Sequence, residues 1–187
     1  MREAVGDRLA VIAKLNMDDG VRGGLWLDDS LEVGRLLQSD GALDAIELTC
    51  GSSFENPMYL FRGPAPLPEL AAAMPNRLIG LGIRVGGRRF MHEYPFEEAF
   101  LLPYAREFRE ALDMPLILLG GINRRETIER AMAQGFEFVA MARALLREPD
   151  LVERMRKGVS DEALCIHCNK CMATIYSGTR CVLVDAK

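Results

Sequence analysis

Residues 115–150 contain two consecutive strand–turn–helix patterns, and this repetition constrains the fold more than any other part of the chain. The apolar run Leu116–Leu119 ends in Gly120 and Gly121, and a second apolar run at residues 136–141 ends in Ala142 and Arg143. Each run leads into a segment with the apolar spacing of a helix. Strands that are apolar throughout and alternate with helices are typical of a parallel sheet.

The chain contains four such strand–helix units, since further strands are predicted at residues 9–15 and 45–49. A complete (β/α)₈ barrel has eight strands and typically about 250 residues, whereas this chain has 187. Periodicity alone therefore leaves two architectures open, half of a barrel or an open doubly wound sheet. Residues 50–70 are rich in turn formers and predict a long loop, while the glycines of residues 77–85 leave helix and strand equally open.

The small residues that end the last two strands match the phosphate-holding corner of a (β/α)₈ barrel. Glycine lets backbone N–H groups approach phosphate oxygens, and Arg143 can add a charge-assisted hydrogen bond. Taken alone, Gly120–Gly121 is equally compatible with a tight strand-to-helix turn. The paired context favours a phosphorylated ligand.

Four of the five cysteines lie close together near the end of the chain, with the spacing C-x2-C-x2-C-x9-C. They are Cys165, Cys168, Cys171 and Cys181. Such a set is more typical of a metal site than of disulfides in a cytoplasmic chain, and four thiolates suit an iron–sulfur cluster or zinc. Unligated thiols remain an alternative, and His167 lies where it could replace a ligand. The fifth cysteine, Cys50, is expected to pack near the second strand.

Composition excludes some classes of function. With 23 basic and 27 acidic residues the net charge is −4, which does not suggest binding to nucleic acid. No apolar run approaches the roughly 20 residues of a membrane span. The first 15 residues carry charges where a signal peptide needs an apolar segment. We therefore expect a cytoplasmic protein that does not bind membranes.

Several segments together resemble a known family. AVIAKLNMDDG, AIELT, PLILLGGIN, EFVAMARALLREPDL and CIHCNKCMATIYSGTRCV occur in this order along the chain. The chain resembles the carboxyl-terminal half of flavin-dependent oxidoreductases of the Old Yellow Enzyme family, above all their NADH:flavin oxidoreductase and 2,4-dienoyl-CoA reductase branch. The resemblance implies a (β/α)₈ TIM-barrel fold of which this chain supplies about the last four βα units. It implies an FMN-binding part at residues 1–160 and a Cys-rich, metal-binding tail at residues 161–187.

The resemblance also implies roles for individual residues. Lys14, where arginine is commoner in relatives, would touch the pyrimidine edge of FMN, although a lone lysine at a strand end can simply reach solvent. The FMN phosphate would be held by Gly120, Gly121, Ile122, Ala142 and Arg143, with Ala142 standing where the family usually has glycine. The four cysteines would bind a [4Fe–4S] cluster, with zinc as the alternative. The chain is one residue shorter between the second and third cysteines than the pattern of that branch.

The implied activity is hydride transfer from NAD(P)H to FMN and then to an activated alkene or enoyl substrate. The family takes its proton donor from the amino-terminal half of the barrel, so no catalytic residue is assigned in this chain. A half barrel exposes strand edges, and we expect it to pair with another copy or with a complementary half-barrel subunit, unless the chain is a fragment. Two other functions remain open: a non-catalytic iron–sulfur or zinc module that docks onto a flavoprotein, and an enzyme that uses a different phosphorylated ligand.

Overall fold

The computed structural model describes residues 2–184. Its strands are β1 (Ile12–Asn16), β2 (Ala45–Thr49), β3 (Leu116–Leu119) and β4 (Phe138–Ala140). Its α-helices are α1 (Arg2–Val5), α2 (Leu27–Asp40), α3 (Pro57–Phe61), α4 (Leu67–Ala73), α5 (Arg77–Phe90), α6 (Leu102–Ala111), α7 (Arg125–Ala133), α8 (Arg143–Arg147) and α9 (Leu151–Arg156). Short 3₁₀ helices occupy Gly6–Arg8 and Lys170–Thr174. The described residues form two compact units, one of residues 2–52 and 98–141 and one of residues 53–97 and 142–184.

The first unit is built on a parallel sheet with the strand order β1-β2-β3-β4. When consecutive strands are neighbours and every crossover is right-handed, the connecting helices lie on the same side of the sheet. In this unit α2 contacts β1, α6 contacts β3 and α7 contacts β4. A Cβ added at Gly34 of α2 would lie 3.2 Å from Leu112 and 3.3 Å from Phe108, so α2 packs closely against α6 and the residue after it.

The two faces of this sheet differ in burial. Side chains alternate between the faces along each strand. The helix-covered face carries fully buried aliphatic residues, namely Ile46, Leu48, Leu116 and Leu118. The opposite face carries a row that the register aligns across all four strands, namely Lys14, Glu47, Ile117 and Phe138. On this face Ile12 is 54% exposed and Phe138 is 56% exposed. A doubly wound sheet has helices on both faces, so the arrangement is that of a barrel segment.

The second unit contains two helices that pack closely because of glycine. A Cβ at Gly80 of α5 would lie 2.6 Å from the carbonyl oxygen of Ala71 in α4, and one at Gly87 would lie 2.8 Å from Leu67. Gly80, one of the two glycines that left residues 77–85 undecided between helix and strand, therefore allows α5 to pack on α4 together with Gly87, whereas a Cβ at Gly82 would meet no atom within 4 Å. Within residues 2–184 no helix is long and apolar enough to span a membrane.

Other sequence-based expectations need correction or stay open. The long loop predicted at residues 50–70 is wrong, because α3 and the start of α4 lie there, each with a proline in its first turn, where the missing N–H has no cost. β1 begins at Ile12 rather than at Leu9. The division into an FMN-binding part (1–160) and a metal-binding tail (161–187) concerns ligands and stays a prediction. Residues 185–187 of that tail lie outside the described residues.

Candidate functional site

Lys14 lies on the sheet face that the helices leave uncovered. Its Nζ is 2.9 Å from Oε1 of Glu47, its register partner on β2. Because the Lys14 side chain is 56% exposed, this ion pair adds little to stability. The pair nevertheless places a cation on the face that a barrel encloses. Contact between Lys14 and a flavin stays a prediction.

The turn after β3 requires glycine for local reasons. Gly120 has a φ of 112° and Gly121 a φ of 70°, a region that residues with a side chain rarely adopt. A Cβ at Gly120 would lie 2.7 Å from Cγ of Leu101. The carbonyl of Gly121 accepts a hydrogen bond from the Ala99 N–H at 3.0 Å. Packing thus explains Gly120 without a ligand, and the phosphate role of Gly120, Gly121 and Ile122 stays a prediction.

The start of α7 is already occupied by a carboxylate that sequence reasoning missed. Oε1 of Glu98 accepts hydrogen bonds from the backbone N–H of Asn123 at 2.8 Å and of Arg124 at 3.1 Å. The unpaired N–H groups and the dipole of a helix N-terminus favour a carboxylate as they favour a phosphate. A phosphate bound after β3 must therefore use donors other than these two. Glu98 precedes Asn123 by 25 residues, so no local pattern identifies it.

Ala142 and Arg143 belong to the second unit, where Ala142 precedes α8 and Arg143 begins it. Nη1 of Arg143 donates to the carbonyl of Arg62 at 3.2 Å and to Oδ1 of Asn169. The guanidinium carbon lies 5.7 Å from the centroid of the Phe61 ring. These contacts use Nη1, and a guanidinium has five N–H donors. Arg143 is therefore fixed in place and keeps donors for an anion, as its predicted role requires.

Asn169 joins three segments of the second unit and was not identified from the sequence. It is 1% exposed and adopts a left-handed backbone conformation with a φ of 57°. Its Nδ2 donates to the carbonyls of Arg62 at 2.9 Å and Pro64 at 3.1 Å, while its Oδ1 accepts from Arg143. Its position inside the cysteine motif is the one signal that the sequence offers.

The four cysteines predicted to bind a metal line one cavity of about 20 Å³ in the second unit. Its lining includes Cys165, Cys168, Cys171 and Cys181 together with Arg143 and Arg147. Sγ of Cys165 lies 3.9 Å from Nδ1 of His167. Among residues 2–184 no three His, Cys, Asp or Glu side chains lie close enough together to hold a metal ion. The donor set fits a thiolate-bound centre, and metal binding itself stays a prediction.

Arg143 and the cysteines influence each other electrostatically. Burial raises the pKa of the Cys171 thiol, and the guanidinium of Arg143 opposes this change. Burial lowers the pKa of Arg143, and Cys165, Cys171 and Cys168 oppose that change. A nearby cation favours the thiolate, which is the form that binds metals and acts as a nucleophile.

A larger cavity of about 420 Å³ also lies in the second unit. It is lined by Gly63, Pro64, Glu93, Tyr94, Pro95, Phe96, Ile166 and His167. The imidazole of His167 stacks on the Phe96 ring with 3.6 Å between centroids and 7° between planes. Sites for small molecules have volumes of roughly 300–1,000 Å³ and mostly apolar walls. The aromatic and proline walls, with the carboxylate of Glu93, fit a small, largely apolar molecule.

Comparison with known proteins confirms the fold. Residues 97–180 match the family described as "Histidine biosynthesis protein", which is a TIM-barrel family. The structure of 2-naphthoyl-CoA reductase in complex with 2-naphthoyl-CoA matches with a TM-score of 0.61 and 19% identity, over 90% of this chain and 21% of that chain. The (β/α)₈ TIM-barrel prediction is confirmed, and this chain matches only part of such a barrel.

Three curated relatives match most of the chain. A 4,4'-dithiodibutanoate disulfide reductase of Rhodococcus erythropolis is 59% identical over 186 residues, which is 100% of this chain and 46% of that protein. An NADH oxidase of Thermoanaerobacter brockii is 23% identical, over 90% of this chain and 21% of that protein. A multifunctional alkene reductase/demethylase OYE of Caballeronia cordobensis is 27% identical, over 87% of this chain and 20% of that protein. The chain therefore spans less than half the length of each of these relatives.

Fold and relatives together define the class, a segment of a TIM barrel whose relatives carry the names of oxidoreductases. The homologues are of the Old Yellow Enzyme and 2,4-dienoyl-CoA reductase-like family, and this chain matches the carboxyl-terminal part of the family's length. The family resemblance read from the sequence is confirmed.

Proposed function

We propose that this chain is the cofactor-holding half of an FMN-dependent NAD(P)H oxidoreductase of Old Yellow Enzyme type, which reduces an activated alkene or enoyl substrate. The observation that carries the proposal is one parallel sheet whose helix-free face bears Lys14 and whose third strand ends in the Gly120–Gly121 turn. The matched relatives, which carry the names of two reductases and an oxidase, support the same chemistry.

The residues fit FMN in charge and backbone conformation. Bound FMN would supply hydride transfer from NAD(P)H to the substrate. Lys14 would supply a cation to the pyrimidine edge, and its ion pair with Glu47 would limit the movement of its ammonium group. The backbone N–H groups at Gly120, Gly121 and Ile122 would hold the phosphate, and Arg143 after Ala142 would add a charge-assisted bond. The proton donor is not assigned to this chain.

The proposed substrates include organic disulfides as well as activated alkenes. The relative with 59% identity is named for reduction of a disulfide, whereas the relative with 27% identity is named for reduction of alkenes. Both reactions consume one hydride equivalent and one proton, because NAD(P)H, H⁺ and a disulfide give NAD(P)⁺ and two thiols. Parallel assays of NADH and NADPH oxidation with an enone, an enoyl thioester and a dithiodicarboxylic acid identify the acceptor class.

The first test is an absorption spectrum of the anaerobically purified chain, before and after dithionite. We expect a flavin spectrum that bleaches on reduction.

An Arg143→Ala variant should bind FMN about tenfold or more weakly, because a lost hydrogen bond to a charged group costs about 1.5–3 kcal/mol. Arg156→Ala, which removes an exposed arginine paired with Glu153, is the matched control. A colourless chain that takes up no added FMN contradicts the proposal, and unchanged FMN affinity in Arg143→Ala removes Arg143 from the phosphate site.

A second function is favoured by the cysteine cavity: an iron–sulfur or zinc module that transfers electrons or docks onto a flavoprotein. Four thiols around one cavity suit a [4Fe–4S] cluster or a tetrahedral zinc. This function predicts metal without flavin. Iron, sulfide and zinc analysis of the same anaerobic preparation separates it from the first function. Flavin in a preparation that holds no metal contradicts it.

A further inference from the structure

We propose that Arg143, positioned by Asn169, is the counter-cation of the group that the four cysteines bind. This role differs from phosphate binding. It rests on the proposed thiolate-bound centre and deepens it by naming the residue that sets the charge balance there.

The placement of Arg143 supports this role. Its side chain lines the same small cavity as Cys165, Cys168, Cys171 and Cys181. It is held there by the carbonyl of Arg62 and the Oδ1 of Asn169, with the Phe61 ring beside it. Asn169 belongs to the cysteine loop itself and also anchors that loop to the carbonyls of Arg62 and Pro64. The side-chain amide of Asn169 thus fixes both the guanidinium of Arg143 and the loop that carries the cysteines.

The charges around the cavity also support the counter-cation role of Arg143. The groups that hold Arg143 are a carbonyl and a neutral amide, so they fix the guanidinium without neutralising it. Within the described residues, the cavity lining contains two arginines and no carboxylate. A cation in a partly buried position needs an anion. A divalent metal or a doubly positive cluster bound by four thiolates keeps a net negative charge, and this complex would place an anion beside Arg143.

The identity of residue 169 is informative. An aspartate at this position would accept the same hydrogen bond from Arg143 but would neutralise it, and the thiolates would then compete with a carboxylate for the same cation. Asparagine keeps the geometry and leaves the charge available to the cysteines. Asn169 is therefore a positioning residue. Asn169→Asp neutralises Arg143 but also loses the Nδ2 donor to the carbonyls of Arg62 and Pro64, so unchanged Cd²⁺ affinity in this variant is its informative outcome.

The experiment is a titration of the reduced, metal-free full chain with Cd²⁺ under anaerobic conditions, followed by the thiolate-to-cadmium charge-transfer absorption. We expect Arg143→Gln to bind Cd²⁺ roughly tenfold to a hundredfold more weakly than the wild type, the range for groups that support metal ligands. Arg143→Lys should recover most of this loss because it keeps the charge. Asn169→Asp should weaken binding in the same direction, and Arg156→Gln should bind like the wild type.

The outcomes distinguish failure of the counter-cation role of Arg143 from failure of the thiolate-bound centre on which that role rests. If the wild type gives no thiolate-to-cadmium absorption, the thiolate-bound centre fails and the role of Arg143 fails with it. If the wild type binds Cd²⁺ and Arg143→Gln binds equally well, only the counter-cation role is overturned. Equal losses in Arg143→Gln and Arg143→Lys would show that Arg143 acts through packing, which also overturns it. Asn169→Asp provides an independent test if Arg143→Gln does not fold, since wild-type affinity for Cd²⁺ in Asn169→Asp contradicts the counter-cation role.

Discussion

At the scale of single residues, Gly63 sets how closely two loops of the second unit approach. It has a φ of 101°, and a Cβ there would lie 2.5 Å from the carbonyl oxygen of His167 and 3.2 Å from Nδ2 of Asn169. We expect Gly63→Ala to lower the free energy of unfolding by about 1–3 kcal/mol or more, because backbone strain and displacement of the 167–169 loop add together. Urea denaturation followed by circular dichroism measures the change.

The matched control is Gly86→Ala in α5. No atom lies within 4 Å of a Cβ at Gly86, and alanine is favoured over glycine inside a helix by roughly 0.5–1 kcal/mol. This variant should therefore be slightly more stable than the wild type. If both variants change stability in the same direction and by the same amount, the two loops do not pack as described.

Residue-scale contacts mark the limit of what the sequence could predict. The proximity of Cys165, Cys168 and Cys171 followed from their spacing of three residues, whereas Cys181, ten residues further on, reaches the same cavity only in the folded chain. The hydrogen bonds of Asn169 to Arg62 and Pro64 span 107 and 105 residues, and only the folded chain brings these groups together. The same holds for Glu98, whose partners at Asn123 and Arg124 are 25 and 26 residues away.

At the scale of secondary-structure elements, Glu98 caps the backbone N–H groups of Asn123 and Arg124, the two residues just before α7. We expect Glu98→Ala to lower the free energy of unfolding by about 0.5–2 kcal/mol, the usual cost of losing a cap. Glu98→Gln should lose less, since its carbonyl oxygen still accepts one hydrogen bond. Glu97→Ala, a change at an exposed neighbouring position, should be near neutral. A Glu97→Ala variant that is destabilised as much as Glu98→Ala would contradict the capping role.

The pairing of β1 with β2 depends on Asp44. Its Oδ2 accepts the backbone N–H of Val11 at 2.6 Å, and its own N–H donates to the Val11 carbonyl at 2.8 Å. The Val11 N–H and then Arg2 lower the pKa of Asp44 below its ordinary value of 3.8. Because the folded-state pKa is lowered, this stabilisation is present above the unfolded pKa and is lost as the pH falls through the folded pKa.

An Asp44→Asn variant tests this dependence on pH. We expect it to have a lower urea midpoint than the wild type at neutral pH, where the carboxylate is charged. The difference should shrink as the pH falls below about 4, because the wild-type carboxyl then becomes neutral too. Urea midpoints measured across this acid range follow the change. A difference that stays constant with pH would show that the carboxylate charge does not contribute.

Elements differ in how well the sequence predicted them. The strand Ala45–Thr49 was predicted with its observed bounds, and the predicted strand Pro115–Leu119 differs from β3 by one residue, because short, mainly apolar runs between turn residues leave few alternatives. The helices of residues 57–90 were missed or left undecided, because their prolines and glycines usually mark turns. In the structure the prolines occupy first helical turns, and Gly80 and Gly87 are required by contacts between helices. Such contacts cannot be derived from local propensity.

At the scale of the whole molecule, the order of the strands decides the architecture. Sequential parallel strands place their helices on one side, which leaves a row of side chains from Lys14 to Phe138 on the uncovered face. Within residues 2–184, β1 and β4 each pair with one neighbouring strand. An exposed strand edge beside an apolar face favours association. We propose that a second copy or a complementary half-barrel subunit covers this face.

Phe138 provides the test of this proposal. Since Phe138 is 56% exposed on β4, next to an unpaired edge within the described residues, covering it removes apolar surface from water at about 25 cal/mol per Å². We expect the wild-type chain to sediment as a species heavier than its 20.8 kDa, and Phe138→Ser to shift the population toward the monomer. The monomer's own stability should change by less than about 0.5 kcal/mol, because an exposed residue has little packing to lose. Phe54→Ser, which removes a phenylalanine that is 98% exposed in the other unit, should leave the association unchanged. A wild-type chain that remains monomeric when concentrated, and that binds no separately supplied amino-terminal half of a family member, would contradict pairing through this face.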